Sequence, residues 1–308
     1  MNRTIVLTIG TTLLLGMMVG AIAEKAPHDY PGKVAFSSNR AGDWEIYVMP
    51  ADRTSIIRVT TNPADDIMPC FNPANPRMLV FVSNREGQQD LYLVDYMEKK
   101  ETRLTSTTWD ELWPYFSPDG KRLLYRANPD GKFHIFEMDL TTKKTKQLTD
   151  SAGDESTPCY SYDMENISYC SNESGKWAIY CAKVDGTGAR MFLNTENDAS
   201  HPRYSPDDST YVYQTMLGKD RKNLEIFTMD VGGKQSKQLI KDNFVDNNPT
   251  WCPTGEYIAF VSNREKGHLN IYFMDKDGKN IWNFTQSTKN SPEGDNDYPS
   301  WVTMAVKQ

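Results

Sequence analysis

Short apolar runs separated by polar turns recur from Lys33 to about Val306. The runs are four or five residues long and alternate with period two, the pattern of half-buried β-strands. One series of runs comprises Val34–Ser37, Met78–Val82, Leu123–Arg126, Ile167–Cys170, Tyr211–Gln214 and Tyr257–Val261. A second series carries an aliphatic–aromatic pair: Ile46-Tyr47, Leu91-Tyr92, Ile135-Phe136, Ile179-Tyr180, Ile226-Phe227 and Ile271-Tyr272. Successive strand residues point to opposite sides, so one member of each pair should face each neighbouring sheet. A third series ends in Val59-Thr60, Leu104-Thr105, Leu148-Thr149, Phe192-Leu193, Leu239-Ile240 and Phe284-Thr285.

The remaining strand of each copy is marked by proline. Pro69, Pro114, Pro158, Pro202, Pro249 and Pro299 stand 45, 44, 44, 47 and 50 residues apart. A period of this size with four strands per copy predicts a β-propeller. The expected fold is all-β: six blades, each a four-stranded antiparallel sheet. The chain starts on a second strand at Val34 and ends on a first strand around Tyr298 to Met304. The C-terminal strand should therefore complete the N-terminal blade and close the ring, which removes exposed edges.

The fullest copy reads Asp110-Glu111-Leu112-Trp113-Pro114-Tyr115-Phe116-Ser117-Pro118-Asp119-Gly120. Its Ser-Pro-Asp-Gly segment is a tight turn, with Pro presetting φ and Gly accepting φ > 0. An apolar strand, Ser-Asn-Arg-x-Gly, Ile-Tyr and Leu-Thr follow in the repeat. This string resembles the TolB-like propeller repeat (WD-repeat-like), and the resemblance covers essentially all of residues 24–308. It implies kinship with the periplasmic TolB of the Tol–Pal envelope system, with propellers attached to peptidases and with propeller lyases. An expected difference from TolB itself is its N-terminal α/β domain, for which the sequence leaves no room.

Residues 1–23 differ in kind: Arg3, an apolar stretch from Ile5 to Val19, then Ala21-Ile22-Ala23. This is the layout of a secretory signal cleaved after Ala23, the alternative being a retained anchor. The expectation is a periplasmic or secreted monomer with no stable membrane insertion after cleavage. A net charge of −7 without a basic cluster argues against a nucleic-acid partner. Five cysteines leave at least one unpaired, and Cys170 and Cys181 flank one hairpin. Small buried hydrophobes is the plainer reading of all five.

Repeats provide an internal control: what the fold requires recurs in each blade, and what a ligand requires breaks the pattern. Asp65, Asp110, Asp154, Asp198 and Asp295 stand four before the proline, and Asp246 three before. Asp in a tight connection bonds backbone N–H groups, while a ring of carboxylates around a channel could attract Ca²⁺. Arg40, Arg85 and Arg264 follow Ser-Asn and should pair with that acidic set. The residue before each proline shares no property between blades: Met68, Trp113, Thr157, His201, Asn248 and Tyr298. These six are expected around the channel entrance, contacting an envelope protein or a peptide. With four histidines, no GxSxG elbow and no CxxC pair, no catalytic residue is assigned. The favoured expectation is a protein-binding or scaffold propeller. The alternatives are a lyase or hydrolase using channel carboxylates, with or without a divalent metal, and a purely structural or sensor module.

Overall fold

The computed structural model describes residues 30–217, 223–265, 268–286 and 294–303. The predicted signal and its cleavage point, His28, Gly218 and Met304 lie outside the described residues. Among the described residues twenty-four strands form six four-stranded antiparallel sheets. Among the described residues there is no helix that could cross a membrane. The innermost strands are Asn296–Val302, Asp66–Phe71, Glu111–Phe116, Glu155–Tyr160, Ala199–Tyr204 and Asp246–Trp251, here blades 1 to 6. Blade 1 is the composite one: Asn296–Val302 pairs antiparallel with Lys33–Ser38, as Val34 to Trp301 and Ala35 to Ser300. The ring closes as the sequence indicates.

The third-strand pairs divide between the two faces of each blade. Ile46 packs with Phe71, Leu79 and Phe81 of blade 2, whereas Tyr47 packs with Val261, Ile271 and Phe273 of blade 6. Leu91 and Tyr92 divide in the same way between blades 3 and 1. Each third-strand aromatic also meets an aromatic on the second strand of its own blade. Phe36–Tyr47, Phe81–Tyr92, Tyr125–Phe136, Tyr169–Tyr180, Tyr213–Phe227 and Phe260–Tyr272 have centroids 5.7 to 5.9 Å apart. Repeated aromatic stacks of this kind add to the area they bury.

The fourth strands end earlier than expected, for instance at Arg58, Arg103 and Gln147. The reason is chemical. Thr60, Thr105, Thr149 and Thr285 each accept the third-strand N–H of Ile46, Leu91, Ile135 and Ile271 through Oγ1 at 2.9 Å. A threonine hydroxyl thus replaces the next backbone rung, and the Leu-Thr signature marks where the ladder stops.

The Ser-Asn-Arg loops resolve into three separate tasks. Asn39, Asn84 and Asn263 accept the backbone N–H of Asp295, Asp65 and Val245 at 2.8 to 3.0 Å. Ser38, Ser83 and Ser262 accept the arginine Nε–H at 2.8 to 3.0 Å. The arginines lie over the aromatic stacks, Arg85 Cζ 4.4 Å from the Tyr92 centroid. The turn after the innermost strand ties blades together as well: Asn72 Nδ2 donates to Gly120 O at 2.9 Å. Gly120 has φ +69°, and a Cβ there would sit 2.1 Å from Asn72 Oδ1, so the position requires glycine.

One member of the acidic set stands apart from the other five. Asp65, Asp110, Asp154, Asp198 and Asp295 each accept, through Oδ1, a backbone N–H of the preceding blade, from Trp44, Gln89, Phe133, Trp177 and Leu269 at 2.9 to 3.3 Å. They staple blade to blade. Asp246 does not belong with them. It opposes Ser262 as Asp66 opposes Ser83, and Val245 holds the staple position in blade 6. We expect Asp110→Ala to cost about 1.5–3 kcal/mol, as for a hydrogen bond to a charged group. Asp110→Asn, which keeps the acceptor, should cost less than half as much. Urea denaturation checks both, and equal losses would contradict the staple.

Candidate functional site

Each innermost strand carries a bulge at its proline. In blade 2, Ile67 pairs with Val82 and Cys70 with Val80, so Met68 and Pro69 together face Phe81. The same shift recurs in the other five blades. Proline suits the site because it has no N–H to leave unpaired. The residue before it adopts left-handed backbone: Met68, Trp113, Thr157, His201, Asn248 and Tyr298 have φ between 49° and 56°. Positive φ is uncommon for residues other than glycine. Six repetitions make it a property of the fold, and the bulge re-aims all six side chains from one backbone geometry.

These residues are third in their strands, so they meet midway along the channel and not at its entrance as expected. Trp113 packs edge-on against His201 with centroids 4.7 Å apart and against Tyr298 at 5.3 Å. Three aromatic rings from blades 3, 5 and 1 therefore plug the middle of the ring. Met68, Trp113, His201, Asn248 and Tyr298 line a cavity of about 60 Å³. Its other wall lies two residues further along, at Cys70, Tyr115, Arg203, Thr250 and Ser300. Thr157 does not reach the cavity. It is buried, with Oγ1 3.1 Å from Cys170 Sγ, and Arg203 crosses in front of it to donate to its carbonyl at 3.1 Å.

Charges at the plug are unevenly placed. Burial first, then the Arg203 and Arg126 charges, hold the His201 imidazole well below its ordinary pKa, so it is neutral. Burial pushes Asp297 up to about 6 against two donors, Asn248 Nδ2 at 2.6 Å and Tyr298 N–H at 2.7 Å. A further set behind the plug went unrecognised in the sequence. Ser37 and Gln214 on the second strands accept the N–H of Met68 at 3.1 Å and of Asn248 at 2.7 Å in the next blade. The corresponding residues elsewhere are Val82, Arg126, Cys170 and Val261, as varied as the plug itself. Aligning the six second strands and asking which column varies would have found them.

Arg40, Arg85 and Arg264 pair one residue away from the staples. Arg85 Nη2 lies 3.1 Å from both Asp66 oxygens, Arg264 Nη2 2.9 Å from Asp246 Oδ1, and Arg40 Nη2 2.5 Å from Asn296 Oδ1. Asp66, Glu111, Glu155, Ala199, Asp246 and Asn296 form a buried ring, each facing the start of a third strand in the preceding blade. The facing residues are Glu45, Asp90, His134, Ala178, Glu225 and Asn270. Chemistry matches across each interface. Three are acid–acid, one is His134 Nδ1 3.6 Å from Glu155, one pairs two alanines, and one bonds Asn296 Nδ2 to Asn270 Oδ1 at 3.4 Å. Glu225 and Asp246 gather Asp242 as well, one oxygen of each within 4.8 Å of the others, with Arg264 on Asp246 and Asp242.

Burial holds Glu111 and Glu225 up at about 7, the neighbouring acids Asp90 and Asp246 adding to the effect. Their folded pKa lies above the unfolded value, so stability is fullest below about pH 4 and falls as pH rises through 7. Melting temperature should drop between pH 5 and pH 8, and Glu111→Gln with Glu225→Gln should flatten that slope. A double variant as pH-dependent as the parent would show that other groups set it.

The five cysteines are free thiols, four of them buried; Cys170 opposes Ile179 and Cys181 opposes Ser168, so the hairpin does not pair them.

Comparison with solved structures places the fold. TolB from Acinetobacter baumannii superposes with TM-score 0.76 at 21% identity over 89% of this chain and 67% of its own. A putative TolB from Agrobacterium tumefaciens gives 0.66 at 19% identity over 87% of this chain and 97% of its own. An oligogalacturonate lyase in complex with manganese gives 0.60 at 16% identity over 82% and 73%. At such identities the likeness is one of fold. No curated protein sequence matches the chain. A sequence profile of the tricorn protease N-terminal β-propeller domain matches residues 78–298. The match spans most of the chain, which therefore belongs to the tricorn protease N-terminal β-propeller family, with a TolB-like repeat.

Proposed function

We propose that this chain is an exported, periplasmic or secreted propeller that holds an envelope protein or peptide in its central channel. The carrying observation is the contrast between constant backbone and variable side chains at the bulges. Six left-handed residues with φ of 49° to 56° have the same geometry, yet five of them bring unrelated chemistry to one cavity. Fold requirements alone would keep such positions alike, as they keep the six aromatic stacks and the Asp staples of five blades alike. Aromatic residues with a polar edge, such as Trp113, His201 and Tyr298, suit recognition of a partner chain. The likeness to TolB structures supports this reading at the level of architecture.

The test is a crosslinking pull-down from envelope extract, read by mass spectrometry, with the parent chain and the Trp113→Ala, His201→Ala, Tyr298→Ala triple variant. The triple variant should retain a cooperative melt and lose the partners that the parent recovers. Unchanged recovery would discard the channel as the binding site.

A further inference from the structure

The channel cavity is lined by a guanidinium, that of Arg203, which meets no carboxylate; Arg40 and Arg126 likewise have neutral partners, Asn296 and Ser156, but do not line the cavity. Arg58, Arg85, Arg103 and Arg264 each meet a buried carboxylate, on Glu45, Asp66, Asp90 and Asp246, at 2.6 to 3.1 Å. Arg203 has no carboxylate partner among the described residues. Its Nη1 donates to the carbonyls of Thr157 and Pro202 at 3.1 and 2.8 Å, and Cζ sits 5.0 Å from the Tyr115 ring centroid. The equivalent residues in the other blades are uncharged: Cys70, Tyr115, Cys159, Thr250 and Ser300. The fold therefore does not ask for a charge here. A guanidinium drawn out of water without a counter-charge is costly, and its planar fork matches a carboxylate.

A second observation comes from His201. Its Nε2 is buried, belongs to a residue lining the same cavity, and has no hydrogen-bond partner among the described residues. Nδ1 lies 3.2 Å from Ser200 Oγ. With that hydroxyl donating to Nδ1, the neutral ring carries its proton on Nε2 and offers a donor. Ser300 Oγ accepts the Phe71 N–H at 3.0 Å, and its own O–H has the Cys70 thiol within hydrogen-bonding reach. Among the described residues the acid beside the plug is Asp297, which accepts from Asn248 Nδ2 and from the Tyr298 N–H. The cavity thus presents donors and a fixed positive charge in a chain whose net charge is −7.

We infer that the channel cavity is a carboxylate site, in which Arg203 meets a carboxylate carried by the bound peptide and the His201 Nε2–H donates to it. About 60 Å³ admits a carboxylate and little more, so the rest of the ligand lies outside. The inference rests on the channel reading and specifies its ligand. The same chemistry comes from a chain terminus or from an acidic side chain, and small probes separate the two.

The experiment is thermal shift and calorimetry on the full chain at constant ionic strength. The probes are N-acetylglycine, N-acetylaspartic acid α-amide with its side-chain carboxylate free, and the neutral N-acetylglycinamide. Saturable stabilisation by a carboxylate, and none by the neutral amide, is expected; the better of the two acids identifies the source. Arg203→Gln should weaken binding roughly tenfold or more, with Arg203→Lys in between. Equal response to the neutral amide, no response to either acid, or parental affinity in Arg203→Gln would overturn the inference. Should Arg203→Gln fail to fold, Arg203→Lys and the acid–amide comparison in the parent decide. A parent that captures partners yet ignores both acids sinks only the carboxylate; one that binds an acid but captures no partner sinks only the partner.

Discussion

A chain ending before Asn296 should lose its cooperative thermal transition. Deleting Asn296–Val302 removes the innermost strand of blade 1, and with it every backbone rung to Lys33–Ser38. Trp301 goes too; it stacks on Phe273 with centroids 4.2 Å apart and donates Nε1–H to Pro31 O at 2.6 Å. Loss of a buried Trp alone costs about 3–5 kcal/mol, against a total stability of about 5–15 kcal/mol. The deletion also removes Ser300, whose hydroxyl accepts the Phe71 N–H of blade 2. Unlike a missing terminal repeat in an open array, this loss opens two blade interfaces at once. Far-UV circular dichroism against temperature checks it. A truncated chain melting at the parental midpoint would show that the ring does not depend on its closing strand.

The second large effect is expected for Arg85→Ala. Asp66 is fully buried, and Arg85 provides its counter-charge through Nη2 while lying over Tyr92. Burial already pushes the Asp66 carboxyl upward, more than Arg85 draws it down. Removing the guanidinium leaves a buried unpaired charge, a loss of about 3–5 kcal/mol near neutral pH. The Asp66 pKa then rises further, so the folded variant holds a proton that the unfolded chain releases. Its deficit should therefore shrink as pH falls toward 5. Arg85→Ala with Asp66→Asn should recover much of the loss, because no charge remains to be stranded. Urea denaturation at pH 5 and pH 8 measures all of this. A deficit independent of pH, unrelieved by Asp66→Asn, would assign the cost to lost packing over Tyr92.

The architecture was legible because its signals repeat. Prolines at intervals of 44 to 50 residues mark the innermost strands, and Ile-Tyr pairs mark the third. Ser-Asn-Arg and Leu-Thr were visible as motifs, but the task of each side chain was not. Nothing in a string says that Thr105 Oγ1 replaces a backbone rung, or that Asn84 caps the N–H of Asp65. Asp246 was misplaced for a definite reason. Blade 2 carries Asp65 and Asp66 in tandem, so two columns of acids with different partners merge into one when read by eye. Blade 6 retains only the buried member, and Val245 fills the other place.

The plug residues were found as the column that breaks the repeat, while their depth was not. An X-Pro pair ordinarily predicts extended backbone before the proline. The bulge instead places that residue at φ near +50° and turns its side chain into the channel. Packing of Trp113 on His201 and Tyr298 follows from three-dimensional closure between blades 85 or more residues apart in sequence. Arg203 and Ser300 lie only two residues beyond the plug, a column that could have been compared in the same way.

The proposed partner of this propeller occupies the channel at the plug. A photo-crosslinking amino acid placed at Trp113, and separately at the exposed turn residue Met97, checks this in the intact cell. A discrete crosslinked partner is expected from position 113 and none from position 97. The same product from both positions, or from 97 alone, would contradict it.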